Sequence, residues 1–303
     1  MDAKEANRKA YDSSRVGQFD LPGWRKNSRV IMSEILRLSL DGPSEISRHY
    51  DSHDVDLDSA IAQQTVDPFW NKESTRVLDF ACGAGNNARD IVPFVKEVVG
   101  VDISHDMVEA FQQRIKSNAY MIDFSEGDGK ELGLFDAAYS VLAFHHIDDY
   151  ATVTANIASR LDSGGRFYIV DFVQSHGHSH GHSHGHSHGH SQDPHGHSHD
   201  HSHSHGAPQG SFMGQEISEE ELGKHGVVHQ HGFSVNDMTS SMENAGLTNV
   251  KVFTGLKVDV WMQPNELASM DKGLVDKMPK KDANGVVERC FTFDLFIAVG
   301  TKP

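Results

Sequence analysis

The residues best suited to chemistry begin with Asp79-Phe80-Ala81-Cys82-Gly83-Ala84-Gly85. Small residues at this spacing let a backbone approach a ligand closely. A helix starting behind them presents free N–H groups to that ligand. A glycine pair alone also makes a plain structural turn, so the reading depends on the residues downstream of it. Asp102 stands about 20 positions on, where an acid ending the next strand can accept hydrogen bonds from ribose hydroxyls. Gly127-Asp128-Gly129 then forms a turn whose carboxylate can meet an adenine amino group. An Asp in a turn needs no such role, and the three pieces carry weight only together.

The elements that must position these residues alternate along the chain. Arg76–Phe80 reads as a buried strand, Asn87–Phe94 as a helix with Pro93 near its end, and Glu97–Val101 as a second strand. Ser104 is placed to cap a helix running through Met107, Val108, Phe111 and Ile115, with Asp106 in its first turn. Asp136–Val141 reads as a strand, Tyr150–Leu161 as a helix and Gly165–Asp171 as a strand. Beyond an interruption come a helix over Val235–Ala245, closed by Gly246, and strands over Asn249–Phe253 and Phe291–Val299. Such alternation predicts a mostly parallel sheet covered on both faces, with its ligand at the carboxyl ends of the strands where strand order reverses. Upstream, Ile31, Ile35 and Leu38 follow helical spacing up to Asp41-Gly42-Pro43, and a second helical stretch spans Asp56–Thr65. Residues 1–42 therefore read as an N-terminal arm with one amphipathic helix, and residues 43–303 as one domain.

The segments DFACGAG, GVDIS, EGDGKEL, FDAAYSVLAFHHIDD and RLDSGGRFYIVDF, in that order, resemble class I S-adenosylmethionine-dependent methyltransferases. The likeness is nearest to the broad group that acts mostly on small molecules, and it covers roughly Ser47 to Val299. It implies an α/β, Rossmann-like sheet of seven mostly parallel strands, helices on both faces, the last strand antiparallel, and S-adenosyl-L-methionine as cofactor. By position it implies that Asp79, Ala81, Gly83 and Gly85 hold the methionine end of the cofactor. Asp102 would hold the ribose, Ile103 would pack on the adenine, and Asp128 and Gly129 would bind the adenine edge. Ser140 and Val141 would border the methyl-transfer position. Arg48-His49-Tyr50-Asp51 resembles the segment before the first motif, where Tyr50 would fold over the cofactor. Ala81 stands where a glycine is usual. The loop lacks the G-x-G-x-x-G spacing of nicotinamide binders, and no Tyr-x-x-x-Lys pair accompanies it, which argues against a dehydrogenase.

Methyl transfer from a sulfonium needs mainly alignment, and a base only when the acceptor must lose a proton. His145 and His146 come after the fourth strand, and an imidazole of ordinary pKa ~6.5 suits that work. Val228-His229-Gln230-His231-Gly232-Phe233 reads either as part of an acceptor pocket or as a polar loop before the last helix.

The formal net charge of -16 argues against a general grip on nucleic acid. The acidic chain, with no second recognition domain, favours a small-molecule acceptor. Two cysteines, Cys82 and Cys290, make no disulfide scaffold. The N-terminus has no apolar run, and no stretch reaches the ~18–20 apolar residues of a membrane span. These features point to a soluble protein of the cytoplasm, or of the nucleus. From about Gln174 to Gly210, His alternates with Gly or Ser, as in HGHSHGHSHGHSHGH. That composition reads as a disordered insertion. It is a solvated linker, a loose metal binder through residues such as His178, His180, His182 and His184, or itself a target of methylation. Two alternatives stand beside the small-molecule enzyme: a protein methyltransferase, and a catalytically silent cofactor-binding subunit. The N-terminal helix would be a docking element for a protein partner or a lid.

Overall fold

A computed structural model of the chain describes residues 3–42, 45–54, 57–174, 210–212, 215–217, 226–267 and 272–303. The helices are α1 Ala3–Ala10, α2 Pro22–Arg37, α3 Leu57–Ala62, α4 Ala88–Ile91, α5 His105–Ile115, α6 Tyr150–Ala158, α7 Val235–Asn244 and α8 Lys272–Lys277. The strands are β1 Glu45–Asp51, β2 Arg76–Phe80, β3 Glu97–Asp102, β4 Ala119–Met121, β5 Phe135–Val141, β6 Leu161–Phe172, β7 Gly210–Phe212, β8 Gln215–Ile217, β9 Thr248–Met262, β10 Lys280–Ala283 and β11 Val286–Thr301.

The main sheet has nine strands in the order β1-β9-β11-β6-β5-β2-β3-β4, with β10 paired to β11. Strands β6, β5, β2, β3 and β4 run parallel to one another, and β11 runs antiparallel to both β6 and β9. The mostly parallel sheet with an antiparallel end is as the sequence implies, and β1 and β10 are additional. The chain passes from β2 outward to β3 and β4, then returns to the other side of β2 as β5. The order therefore reverses between β2 and β5, which is where sheets of this type bind ligands.

Alternation along the central strands explains why the sheet is buried on both sides. In β2, Val77 joins one apolar cluster with α2, α4 and α5, while the next residue, Leu78, joins a second with α6 and α7. Val30, Ile31, Met32, Ile35 and Leu36 of α2 are buried in the first cluster. The amphipathic helix expected within residues 1–42 starts at Pro22 and packs on β9, inside the same core as the sheet. Pro22 suits that first turn because its missing N–H has no partner there in any helix. The helix expected over Asn87–Phe94 is shorter. It gives way to a 3-10 turn at Val92–Phe94, where Pro93 cannot donate. The strands expected over Asn249–Phe253 and Phe291–Val299 are the ends of a long β9/β11 ribbon that bends at bulges between Leu295 and Ile297.

Val173 bridges to Phe233, whose N–H donates to the Phe172 carbonyl at 3.0 Å. Gly232 precedes it at φ +72°, and a Cβ there would stand 2.5 Å from that carbonyl oxygen, so the close crossing requires glycine. Among the described residues, no helix is long and apolar enough to cross a membrane.

Candidate active site

A cavity of about 770 Å3 opens across the carboxyl ends of β2, β3, β5 and β6, and α1 forms part of its wall. That size lies within the ~300–1,000 Å3 of small-molecule sites. Ala81 and Leu142, which come directly after β2 and β5, both line it, and both take left-handed backbone angles, φ +55° and +53°. Such conformations cost about 1–3 kcal/mol each in a non-glycine residue and gather where a site demands them. Gly83 also lines the cavity at φ +49°, and a Cβ built on it would meet nothing within 4 Å. Its Cα borders empty space that a ligand can fill.

Asp102 ends β3 and hooks back to that turn. Its Oδ2 accepts from the Gly83 N–H and its Oδ1 from the Ser104 N–H, both at 2.9 Å. Burial pushes its carboxyl pKa up, opposed by those backbone donors. Ser104 caps α5 as expected. Ile103 lines the cavity beside Asp102, and beyond β4 so do Ile122, Asp123 and Phe124. Asp123 pairs with Lys4 of α1 at 2.9 Å and accepts from the Ser125 hydroxyl at 2.6 Å. Burial works to raise its pKa, but these partners outweigh it and hold the carboxyl below the usual range. Asn86, on the same turn, is buried with no partner for Oδ1. The empty space over Gly83 and the unpaired Asn86 oxygen fit a ligand with an amino-acid end. Asp102, Ile103 and Asp123 form one end of the cavity, suited to a nucleoside.

Of the expected residues, Ala81, Gly83, Asp102, Ile103, Val141, His145 and His146 line the cavity, and the others sit elsewhere. Asp128 lies off the cavity and pairs with Arg160 at 3.5 Å, and Gly129 packs on Phe124, 2.7 Å from where its Cβ would be. Asp123, five residues before Asp128, does line the cavity. Tyr50 lies on β1 at the sheet edge, where its hydroxyl donates to Glu34. The tyrosine that lines the cavity is Tyr11, just after α1. Gly85 packs toward α5, where an added Cβ would come within 2.5 Å of Ile115. Asp79 and Ser140 are buried beneath the cavity floor, each with an oxygen that has no hydrogen-bond partner. Burial, with a smaller push from the charge of Asp102, raises the Asp79 carboxyl to about 8. Cys82 is buried and its thiol is pushed well up, so it is no nucleophile.

The two histidines differ. The carboxylate of Asp171, fully buried at the end of β6, accepts from His145 Nδ1 at 2.8 Å. Its other oxygen accepts from the His145 N–H at 3.1 Å. The His145 carbonyl accepts in turn from the N–H groups of Val228 and His229. The His229–Phe233 stretch thus braces the histidine loop and does not line the cavity. His146 Nε2 meets the Tyr11 hydroxyl at 3.2 Å, and Asn7 Nδ2 donates to the His146 carbonyl at 3.2 Å. The segment holding α1 is therefore tied to the site at Lys4, Asn7 and Tyr11. Tyr11, Asp123 and Asp171 escape a reading of the sequence by glycine turns, although Asp171 shows itself as an acid closing an apolar strand.

A family model described as a methyltransferase domain matches residues 78–169, the stretch from β2 to β6. The chain carries a methyltransferase domain. S-adenosylmethionine is its methyl donor. The methyltransferase is 27% identical over 274 residues to an uncharacterized methyltransferase of Schizosaccharomyces pombe, covering 85% of this chain and 84% of that one. It is 29% identical over 114 residues to the sterol 24-C-methyltransferase of Aspergillus fumigatus, covering 35% of this chain and 30% of that one. A phosphoethanolamine N-methyltransferase 2 of Haemonchus contortus, solved with S-adenosyl-L-methionine, shares its fold with a TM-score of 0.52. Identity is 14%, over 100% of this chain and 60% of that one. Residues His178, His180, His182 and His184 of the methyltransferase lie outside the described residues. Among the described residues, no group of three His, Cys, Asp or Glu is arranged to hold a metal ion.

Proposed function

We propose that the methyltransferase binds S-adenosylmethionine across the ends of β2, β3 and β4 and methylates a small molecule that enters beside His145. The observation that carries this reading is the Asp102 carboxylate joined to the Gly83 N–H at the rim of the cavity. It ties the acid suited to a ribose to the turn suited to an amino-acid end. Asp102 is the ribose residue, Ile103 and Phe124 flank the adenine, and Asp123 accepts from its edge. Ala81 and Gly83 border the methionine end, supported from below by Asp79, with Gly85 packing the turn on α5. Val141 borders the position of transfer, and Ser140 supports it from beneath. The bound cofactor supplies a methyl group already activated on a positive sulfur.

His145 is the residue suited to take a proton from the acceptor. Its Nδ1–H donates to Asp171, which leaves the proton-accepting lone pair on Nε2. Asp171 is a positioning residue, acting through the imidazole. His146 latches the α1 segment over the site through Tyr11. The small-molecule acceptor is supported by the enclosed cavity and by the acidic chain.

Calorimetric titration with S-adenosylmethionine and S-adenosylhomocysteine tests the reading. Micromolar binding to the wild type that Asp102→Ala abolishes is the expected result. A folded wild type that binds neither compound would sink it.

A further inference from the structure

The cavity extends past the donor residues. These lie after β2, β3 and β4, on one side of the switch point. The opposite wall comes from α2, β6 and β11, through Trp24, Asn27, Ile31, Phe172 and Phe293. Trp24, Asn27 and Ile31 are three and four residues apart on α2 and so share one face of that helix. Trp24 meets Phe293 edge to face at 6.1 Å, and Phe293 stacks on Phe172 at 5.8 Å with 20° between the rings. Phe172 in turn touches His145, at 5.2 Å between ring centres.

Two features of this wall define what fits it. Every residue that α2, β6 and β11 contribute to the lining is uncharged. The Lys, Arg, Asp and Glu side chains of the cavity come from α1, the segment after it, the end of β3 and the loops after β4 and β5. A phosphate or carboxylate at the aromatic wall would find no counter-ion there. The second feature is a pair of unsatisfied polar atoms. Asn27 is 2% exposed and its Oδ1 has no hydrogen bond among the described residues, and the Trp24 Nε1–H is likewise buried without an acceptor among them. Each such group is costly to bury while unpaired. Ser28, next to Asn27, by contrast donates to Asn87 at 2.7 Å.

We propose that this wall is the acceptor subsite, and that it takes a neutral, ring-bearing molecule with a hydroxyl group. The aromatic trio covers the ring. The hydroxyl accepts from Trp24 Nε1 and donates to Asn27 Oδ1, pairing both orphaned atoms with one group. Trp24 and Asn27 are then specificity-determining residues, and an anionic group at this wall is disfavoured. The assignment rests on the donor site proposed above.

The test is calorimetric titration of the full-length protein, saturated with S-adenosylhomocysteine, with 1-naphthol and with 1-naphthyl phosphate. Binding of 1-naphthol, with the phosphate at least about 10-fold weaker, is the expected result. Trp24→Phe keeps the ring and removes the donor, and Asn27→Leu keeps the size and removes the acceptor. Each should weaken 1-naphthol roughly 3–10-fold with no change in S-adenosylhomocysteine affinity. Three results overturn the assignment: no 1-naphthol binding, a phosphate that binds as well, or affinity untouched in both variants. If one variant fails to fold, the other and the wild-type ratio still decide. A wild type that does not bind S-adenosylhomocysteine overturns the donor site itself, a separate failure.

Discussion

Asp171 holds His145 by its Nδ1 at 2.8 Å from a carboxylate with no solvent exposure. The pair joins the last residues of β6 to the loop after β5, so the imidazole sits at the edge of the switch point.

If His145 takes a proton, His145→Ala lowers kcat by about 10²–10⁴-fold on an acceptor that must lose one. Asp171→Asn turns an acceptor into a group that can also donate, which favours the wrong imidazole tautomer. It should cost more than about 10-fold in kcat while S-adenosylhomocysteine affinity stays within a factor of two or so. Steady-state kinetics and calorimetry on both variants check this. An equal loss in kcat and in cofactor affinity would show a general distortion instead.

Gly83 and Gly85 serve different ends despite their shared motif. At Gly83 a Cβ has room, so Gly83→Ala should cost only about 1 kcal/mol in stability yet intrude on the bound cofactor. At Gly85 the Cβ strikes Ile115 and Phe111 inside the core. Overpacking there costs typically ~1–3 kcal/mol on top of the strained φ of +82°. Thermal melts and cofactor titration should separate them: Gly83→Ala loses affinity, and Gly85→Ala loses several degrees of Tm.

Asp123 lines the cavity and Asp128 does not. Asp123→Ala should weaken cofactor binding about 10–100-fold, the effect of losing a hydrogen bond to a charged group. Asp128→Ala should leave it unchanged, since that carboxylate lies off the cavity, where it pairs with Arg160 and accepts from the Lys130 N–H. Titration of both variants with S-adenosylhomocysteine distinguishes the two acids, and equal losses would contradict the placement.

Asp79 sets a pH dependence. Its carboxyl is pushed up to about 8 in the folded protein, against 3.8 for the free group. The folded state then binds the proton more tightly than the unfolded one. Its stabilising contribution is complete below about pH 4 and is lost as pH rises toward 8. Asp79→Asn removes that loss. Urea denaturation between pH 5 and 8.5 should show the wild type falling behind the variant by a few kcal/mol over this range. Parallel curves for the two proteins would contradict it.

The core strands are legible in sequence because both their faces are buried. Val77-Leu78 and Val98-Val99 set apolar residues on both faces in succession, and short loops bracket them. The cofactor turn is legible because its backbone angles demand small residues. β4 is not legible: it has three residues, and Tyr120 and Met121 are exposed, so it carries no apolar alternation. Asp123, just beyond that strand, and Tyr11 escape for a related reason. Both lie outside the alternating pattern, and the docking of α1, made by polar contacts from Lys4 and Asn7, is what sets Tyr11 at the cavity. Asp171 and Asn27 take their meaning from residues distant in the chain, a relation that spacing does not encode.

The crossing of Val173 with Phe233 has a bearing on how this sequence can change over generations. Gln174 N–H donates to the Phe233 carbonyl and Val228 N–H to that of His145, so β6 and the histidine loop are held by bonds to residues 228–233. The ladder of β6, the brace on His145 and the wall of the cavity owe nothing to the number of His-Gly-His-Ser units written between positions 176 and 205. Repeat number is therefore free to drift by replication slippage while the catalytic geometry stays under selection.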